Sequence, residues 1–186
     1  MSDFTRRTVV RGAAWTVPVV AVATQAPAFA TSPPPYVPPT VDFDNACATT
    51  GSGKRCNIDK ALFVPIFLSN PGTEDILFQV TAMYTVNGGT IPNQNTPGVY
   101  SGLTGVYTTG CVKKSQATPS CSGGAAEGTI VVPAGATNQG LYIVSRELIA
   151  ASEFSSRIEY RLLSLDCTPL LTTYAERAAI PSGNCR

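Results

Sequence analysis

The chain of 186 residues contains no histidine, and that absence closes more routes than any motif opens. No Ser-His-Asp or Cys-His catalytic arrangement is available, no imidazole can ligate a metal, and no unperturbed imidazole titrates near neutral pH. Charge is scarce as well. Asp, Glu, Lys and Arg make up 13% of the chain, about half the usual quarter for soluble domains. Thirteen cations against twelve anions leave +1, too little for electrostatic capture of a polyanion, so no nucleic-acid partner is expected. None of the six cysteines lies in a C-x-x-C pair. The usual zinc and thiol-redox motifs are therefore missing and no cofactor is expected.

What is present begins with the first thirty residues. Arg6 and Arg7 precede Thr8-Val9-Val10-Arg11, and no charge follows from Gly12 to Pro27. Ala28-Phe29-Ala30 then places small residues at the −3 and −1 positions before Thr31. This is a basic region, an apolar region and an A-x-A cleavage site in order, so residues 1–30 are expected to be an export signal that is removed. The apolar run is short and Pro18 interrupts it, so no permanent membrane anchor is expected. The segment resembles twin-arginine export leaders of Gram-positive bacteria, with Arg6 and Arg7 as the paired arginines. Its loss removes Arg6, Arg7, Arg11 and Asp3, which takes the net charge from +1 to −1, and Trp15, which leaves no tryptophan. No lipobox cysteine, apolar tail or LPxTG-like signal follows. The expectation is a secreted, extracellular protein, released or held non-covalently at the cell wall.

An even cysteine count in an exported chain reads as three disulfides, with fifteen possible connectivities. Spacing favours sequential loop staples, Cys47–Cys56, Cys111–Cys121 and Cys167–Cys185, over a bridge between sheets, because polar residues separate the first two pairs. Each staple is expected to contribute about 2–4 kcal/mol.

Residues 31–40 hold five prolines and read as a semi-rigid spacer. Residues 41–186 are the length of one domain. Within it, Ile76, Phe78, Val80, Ala82, Tyr84 and Val86 alternate with Leu77, Gln79, Thr81, Met83 and Thr85 over Asp75–Val86. Period two predicts a strand with one buried face. Ala61–Ser69, Val99–Thr109, Gly128–Val132, Leu141–Arg146, Arg157–Leu165 and Leu170–Ala175 are further strand candidates. Ser145–Phe154 is the one helical candidate. Seven or eight short strands punctuated by turns predict an all-β fold, a single antiparallel sandwich. Two stretches, the strand ending in Ser69-Asn70-Pro71-Gly72 and Gly128-Thr-Ile-Val-Val-Pro-Ala-Gly-Ala-Thr137, resemble corners of adhesion-associated bacterial immunoglobulin-like domains. The resemblance implies an immunoglobulin-like β-sandwich over residues 41–186.

Several residue groups carry possible chemistry. Asp42 and Asp44 put two carboxylates on an extended segment beside Asn45, and with Asp59, Glu74 and Asp75 they offer the oxygen donors that Ca²⁺ requires. The plainer reading is a solvated edge and polar turns. Tyr100 and Tyr107 stand among glycines, where exposed rings can stack on sugars, or serve as ordinary cross-strand aromatics. Lys54-Arg55 and Lys113-Lys114 can touch anionic wall polymers or simply solvate loop tips. Glycosidase chemistry needs two acidic groups about 5–9 Å apart across a cleft. Glu147, Glu153, Glu159 and Asp166 are available for it, but no acidic signature surrounds them. The chain is therefore expected not to be an enzyme. The expected function is a structural or adhesion-type binding module with a protein or cell-wall partner. The alternatives are a subunit of an extracellular filament or coat, and a carbohydrate-binding or carbohydrate-active protein.

Overall fold

The computed structural model describes residues 36–49, 54–114, 121–124, 126–146, 148, 151–182 and 185. The leader, with Arg6, Arg7, Ala28 and Ala30, and the first half of the proline-rich spacer lie outside the described residues. Among the described residues ten strands run in chain order: β1 (Thr40–Val41), β2 (Cys47–Ala48), β3 (Leu62–Asn70), β4 (Ile76–Asn87), β5 (Tyr100–Ser101), β6 (Leu103–Thr108), β7 (Thr129–Val132), β8 (Ala136–Ser145), β9 (Glu153–Ser164) and β10 (Pro169–Pro181). They form two antiparallel sheets. One has the order β1-β3-β8-β6, with β2 also on β3; the other runs β10-β9-β4-β5, with β7 also on β4. Counting β1 and β2 as one interrupted edge, this is the Greek-key order of an immunoglobulin-type sandwich.

The apolar alternation drives the two sheets together. Leu62, Val64, Ile66 and Leu68 of β3 meet Ile76, Phe78 and Val80 of β4 and Ile158, Tyr160 and Leu162 of β9, all buried in one core. Burial of each such side chain contributes about 1.5–3 kcal/mol. Only the first half of β4 follows the expected alternation. Val80 faces Tyr160 but Ala82 faces Glu159, so Thr81 is an extra residue in a β-bulge. The bulge reverses the parity: Met83 enters the core, and Ala82 and Tyr84 turn to the outer face.

The expected strand over Val99–Thr109 is divided between the sheets. Gly102 donates its N–H to Met83 O at 2.8 Å in one sheet, and its carbonyl accepts from Arg146 N at 3.2 Å beside the other. Its φ of +104° is open to glycine and strained for other residues. The helical candidate Ser145–Phe154 is corrected at both ends, since Ser145 closes β8 and Glu153–Phe154 open β9; residues 147, 149 and 150 lie outside the described set.

Asn70 fixes the corner after β3. Fully buried, it donates to Glu74 O at 2.8 Å and to Val132 O at 3.1 Å, while its own Oδ1 accepts from Gly72 N at 3.1 Å. Gly135 N donates to Gly72 O, which joins this corner to the Pro133–Ala136 turn. The two stretches that resemble immunoglobulin-like corners are thus neighbours in space.

The sequential disulfide pairing is overturned. The bridges are Cys47–Cys185, Cys56–Cys111 and Cys121–Cys167, separated by 138, 55 and 46 residues. They lie on the outer faces of the sheets, not between them. On one outer face Ala61, Phe63, Tyr107 and Val144 form a second apolar cluster, ringed by Cys47, Cys56 and Cys185. On the other, Leu77, Cys121 and Leu163 form a third, with Cys167 against it. Strands pair remote segments, so a polar loop between two cysteines says nothing about which loop lies over which face. A non-reducing peptide map is expected to recover these three long-range linkages and none of the sequential ones. Removing Cys47 and Cys185 together is expected to cost about 2–5 kcal/mol in a denaturant titration.

Candidate functional site

The residues expected to form sites are dispersed. Asp42 is absorbed by its own turn: its carboxylate accepts from Asn45 N at 3.1 Å and from Asn45 Nδ2 at 2.7 Å. Asp44 pairs with Arg177 at 3.0 Å. Glu74 and Asp75 lie at the end of the sandwich, where Asp75 accepts from Ala134 N at 2.9 Å. Asp42 and Asp44 instead flank a shallow groove of about 320 Å³ with Glu176 and Arg177 at its side. Among the described residues no cluster of three acidic or sulfur side chains is spaced to hold a metal ion. The single calcium end-site is corrected on this geometry.

Tyr107 is buried at 8% exposure in the outer cluster with Phe63, and Tyr100 is half-buried against the main core. Tyr107 therefore cannot offer a stacking face, and the paired-tyrosine platform is corrected. Arg55 also turns inward. It lies 4.3 Å over the Tyr142 ring and donates to Tyr142 Oη at 2.8 Å, covering the outer cluster instead of reaching solvent. Lys113 is bridged to Tyr107, and Lys114 N donates to Val106 O, so this basic pair closes the free side of β6. Of the four acidic residues considered for glycosidic chemistry, Glu147 is outside the described residues. Glu153 opens β9, Glu159 sits at mid-strand bonded to Arg157, and Asp166 lies in the turn after β9. Glu153 and Asp166 are at opposite ends of that strand, about 40 Å apart at the usual strand rise.

The last strand, expected over Leu170–Ala175, extends over Pro169–Pro181. β10 is the longest, at 13 residues, and among the described residues it pairs with β9 alone. The other flanks are short or occupied. β1, β2 and β5 have two residues each and β7 has four. On β6, Thr108 N donates to Val112 O and Lys114 N to Val106 O. An open strand presents unpaired N–H and C=O groups, and proteins usually blunt it with lysine, proline or an inward charge. β10 has prolines only at Pro169 and Pro181, and its register breaks between Arg177 and Ile180. Between these limits Leu170-Leu171-Thr172-Thr173-Tyr174-Ala175 carries no charge, proline or glycine.

The side chains alternate along this edge. Leu171 and Ala175 pack on the core, while Tyr174 points outward at 50% exposure. Arg157 of β9 stacks on the Tyr174 ring at 3.9 Å and bonds to Glu159 at 3.0 Å and Glu176 at 3.3 Å. Tyr84 of β4 is aligned with Arg157 on the same face. The result is an outer face of Tyr, Arg, Thr and Glu in which Arg157 is shared by two glutamates. Tyr and Arg are the residue types that most often anchor protein interfaces. Arg177 points to the other sheet and joins it through Asp44.

The turn into β10 is built by hydrogen bonds. Ser164 Oγ donates to an Asp166 carboxylate oxygen, and Thr168 N donates to the same oxygen at 3.2 Å. Both favour the charged form and hold the Asp166 carboxyl below its ordinary value. A group depressed in this way stabilises the fold above the unfolded carboxylate range and loses that contribution as pH falls through the folded value. On acidification from about pH 5 to about pH 2, the melting temperature of wild type is expected to fall further than that of Asp166→Asn. Parallel curves for the two proteins would show that the turn is not linked to proton uptake.

No protein-family model, curated protein or solved structure matches this chain. Three disulfides on a β-sandwich fit a stabilised extracellular module, and no helix among the described residues is long and apolar enough to cross a membrane.

Proposed function

We propose that the chain is an exported structural or adhesion-type module that binds a partner at the bacterial cell surface through the open edge of β10. The observation that carries the reading is the uncharged stretch Leu170–Ala175, which among the described residues is paired on one side only and exposes Tyr174. A binding edge of this kind works by main-chain pairing, with alternate side chains supplying selectivity. It requires no reactive side chain, which agrees with a histidine-free chain. Export is supported by the paired arginines Arg6 and Arg7, by the Ala28–Ala30 cleavage pattern, and by six cysteines all joined in disulfides. The role is one of docking, not catalysis.

Both parts of the reading meet in one experiment. The full chain, expressed in a bacterium with a working twin-arginine pathway, is expected in the medium with its N-terminus at Thr31. Immobilised there, it is expected to retain a protein or wall polymer from the surface fraction, and Tyr174→Lys is expected to lose at least about tenfold of that binding. An unprocessed cytosolic chain with reduced thiols would end the export reading. Capture that is equal for wild type and Tyr174→Lys would end the edge reading.

A further inference from the structure

The geometry of β10 points to a specific occupant: a second copy of this chain, paired antiparallel along the same strand about a two-fold axis at Tyr174. This inference rests on the open edge being a docking site and names what fills it. The uninterrupted part of the β9–β10 ladder runs from Leu171 to Arg177, with register irregularities on either side, between Pro169 and Leu171 and between Arg177 and Ile180. Its midpoint is Tyr174. A two-fold axis there therefore uses the whole regular stretch, which any other register would shorten.

The side chains agree with that choice. Directly opposed residues in an antiparallel pair point to the same face. An axis at Tyr174 sets Tyr174 against its symmetry mate, Thr172 against Glu176, Thr173 against Ala175 and Leu171 against Arg177. Thr172, Tyr174 and Glu176 share the outer face, and Leu171, Thr173, Ala175 and Arg177 share the inner one. Each pair is thus consistent in face, and no like charges stand opposite each other. Moving the axis by one residue to Ala175 makes the two Glu176 carboxylates diagonal neighbours. Moving it by two, to Glu176, opposes them directly, which is destabilising. In the favoured register each Glu176 also keeps its own Arg157 partner at 3.3 Å. The interface is isologous, so it closes at two copies and leaves no further β10 edge to propagate. It joins one sheet of each protomer into a single sheet across the pair. A seven-residue ladder is a small interface, so the pair is expected to be concentration-dependent in the micromolar range.

The test is light scattering coupled to size exclusion on the full chain, from roughly 1 to 200 µM. The wild type is expected to move from one-chain to two-chain mass across that range. Tyr174→Lys, which opposes two cations at the axis, is expected to raise the dissociation constant at least about tenfold. Val112→Lys, at an exposed position in the turn after β6, is expected to leave it unchanged. Intact disulfide maps and melting temperatures for each variant separate loss of pairing from loss of fold. A wild type that stays a monomer throughout overturns the inference, as does a dimer that is weakened by Val112→Lys and not by Tyr174→Lys. Growth beyond two copies also overturns it, because a closed pair has no edge left. If the wild type is monomeric but still captures a surface partner in a Tyr174-dependent way, the self-pairing falls and the docking edge stands. If it is monomeric and captures nothing, both fall.

Discussion

The structure depends on the double-sided burial of its two central strands. In a two-layer sandwich each strand should have one face in the core and one in water. β3 departs from this: Leu62, Phe63, Val64 and Ile66 are all fully buried. β4 departs as well, with Leu77 and Phe78 at 0% exposure although adjacent strand residues point to opposite faces. A sandwich whose strands are apolar on both faces has to cover its outside. The chain does so with short segments that have little core of their own, and cysteines hold them in place. Gly124 shows how closely one such segment lies: a Cβ there would overlap the Gln79 side chain.

The two covers differ in how they recruit polar groups. Over Phe63 the cover is Arg55 on the Tyr142 ring, with Cys56–Cys111 beside it. Over Leu77 it is the 121–124 segment, held by Gln79 Nε2 on Cys121 O at 3.1 Å and by Arg161 on both Gln79 Oε1 and Ser122 O. Buried polar atoms are therefore paired as the covers close, which avoids the penalty of leaving them unsatisfied. Two of the hairpins that bring cysteines into position share one design. Cys111 N donates to Thr108 O and Thr108 N to Val112 O; Cys167 N donates to Ser164 O and Ser164 N to Thr168 O. In both, the cysteine occupies the left-handed position, at φ +65° and +68°, where glycine is usual.

Much of the inner architecture was legible in the amino-acid order. Period two over Ile76–Val80 marked the first half of β4, and the strand expected over Arg157–Leu165 falls almost wholly within β9. Three things were not legible, each for a physical reason. The bulge at Thr81 carries no glycine or proline, so nothing local announced the parity change that brings Met83 inward. The disulfides join segments that only the sheet order brings together. The length of β10 was hidden because Glu176-Arg177-Ala178-Ala179 looks like a strand end, whereas Arg157 and Asp44 neutralise its charges from neighbouring elements. The site candidates failed for a related reason. Asp42, Tyr107 and Arg55 looked free as isolated residues, yet each is used by its own turn or by an outer cover.

The unblunted edge of β10 stands out against this heavy covering. Among the described residues the other strand flanks are short or occupied, so an open, uncharged stretch on the longest strand is the edge the fold leaves available. The most direct measurement on the central claim concerns Leu77, which the alternation alone would place in water. With the disulfides intact, chemical denaturation of Leu77→Ala is expected to show a loss of about 2–5 kcal/mol, the magnitude of a true core position. A loss below about 0.5 kcal/mol, the usual effect of a surface substitution, would contradict the view that the outer faces are cores sealed by disulfide-anchored covers.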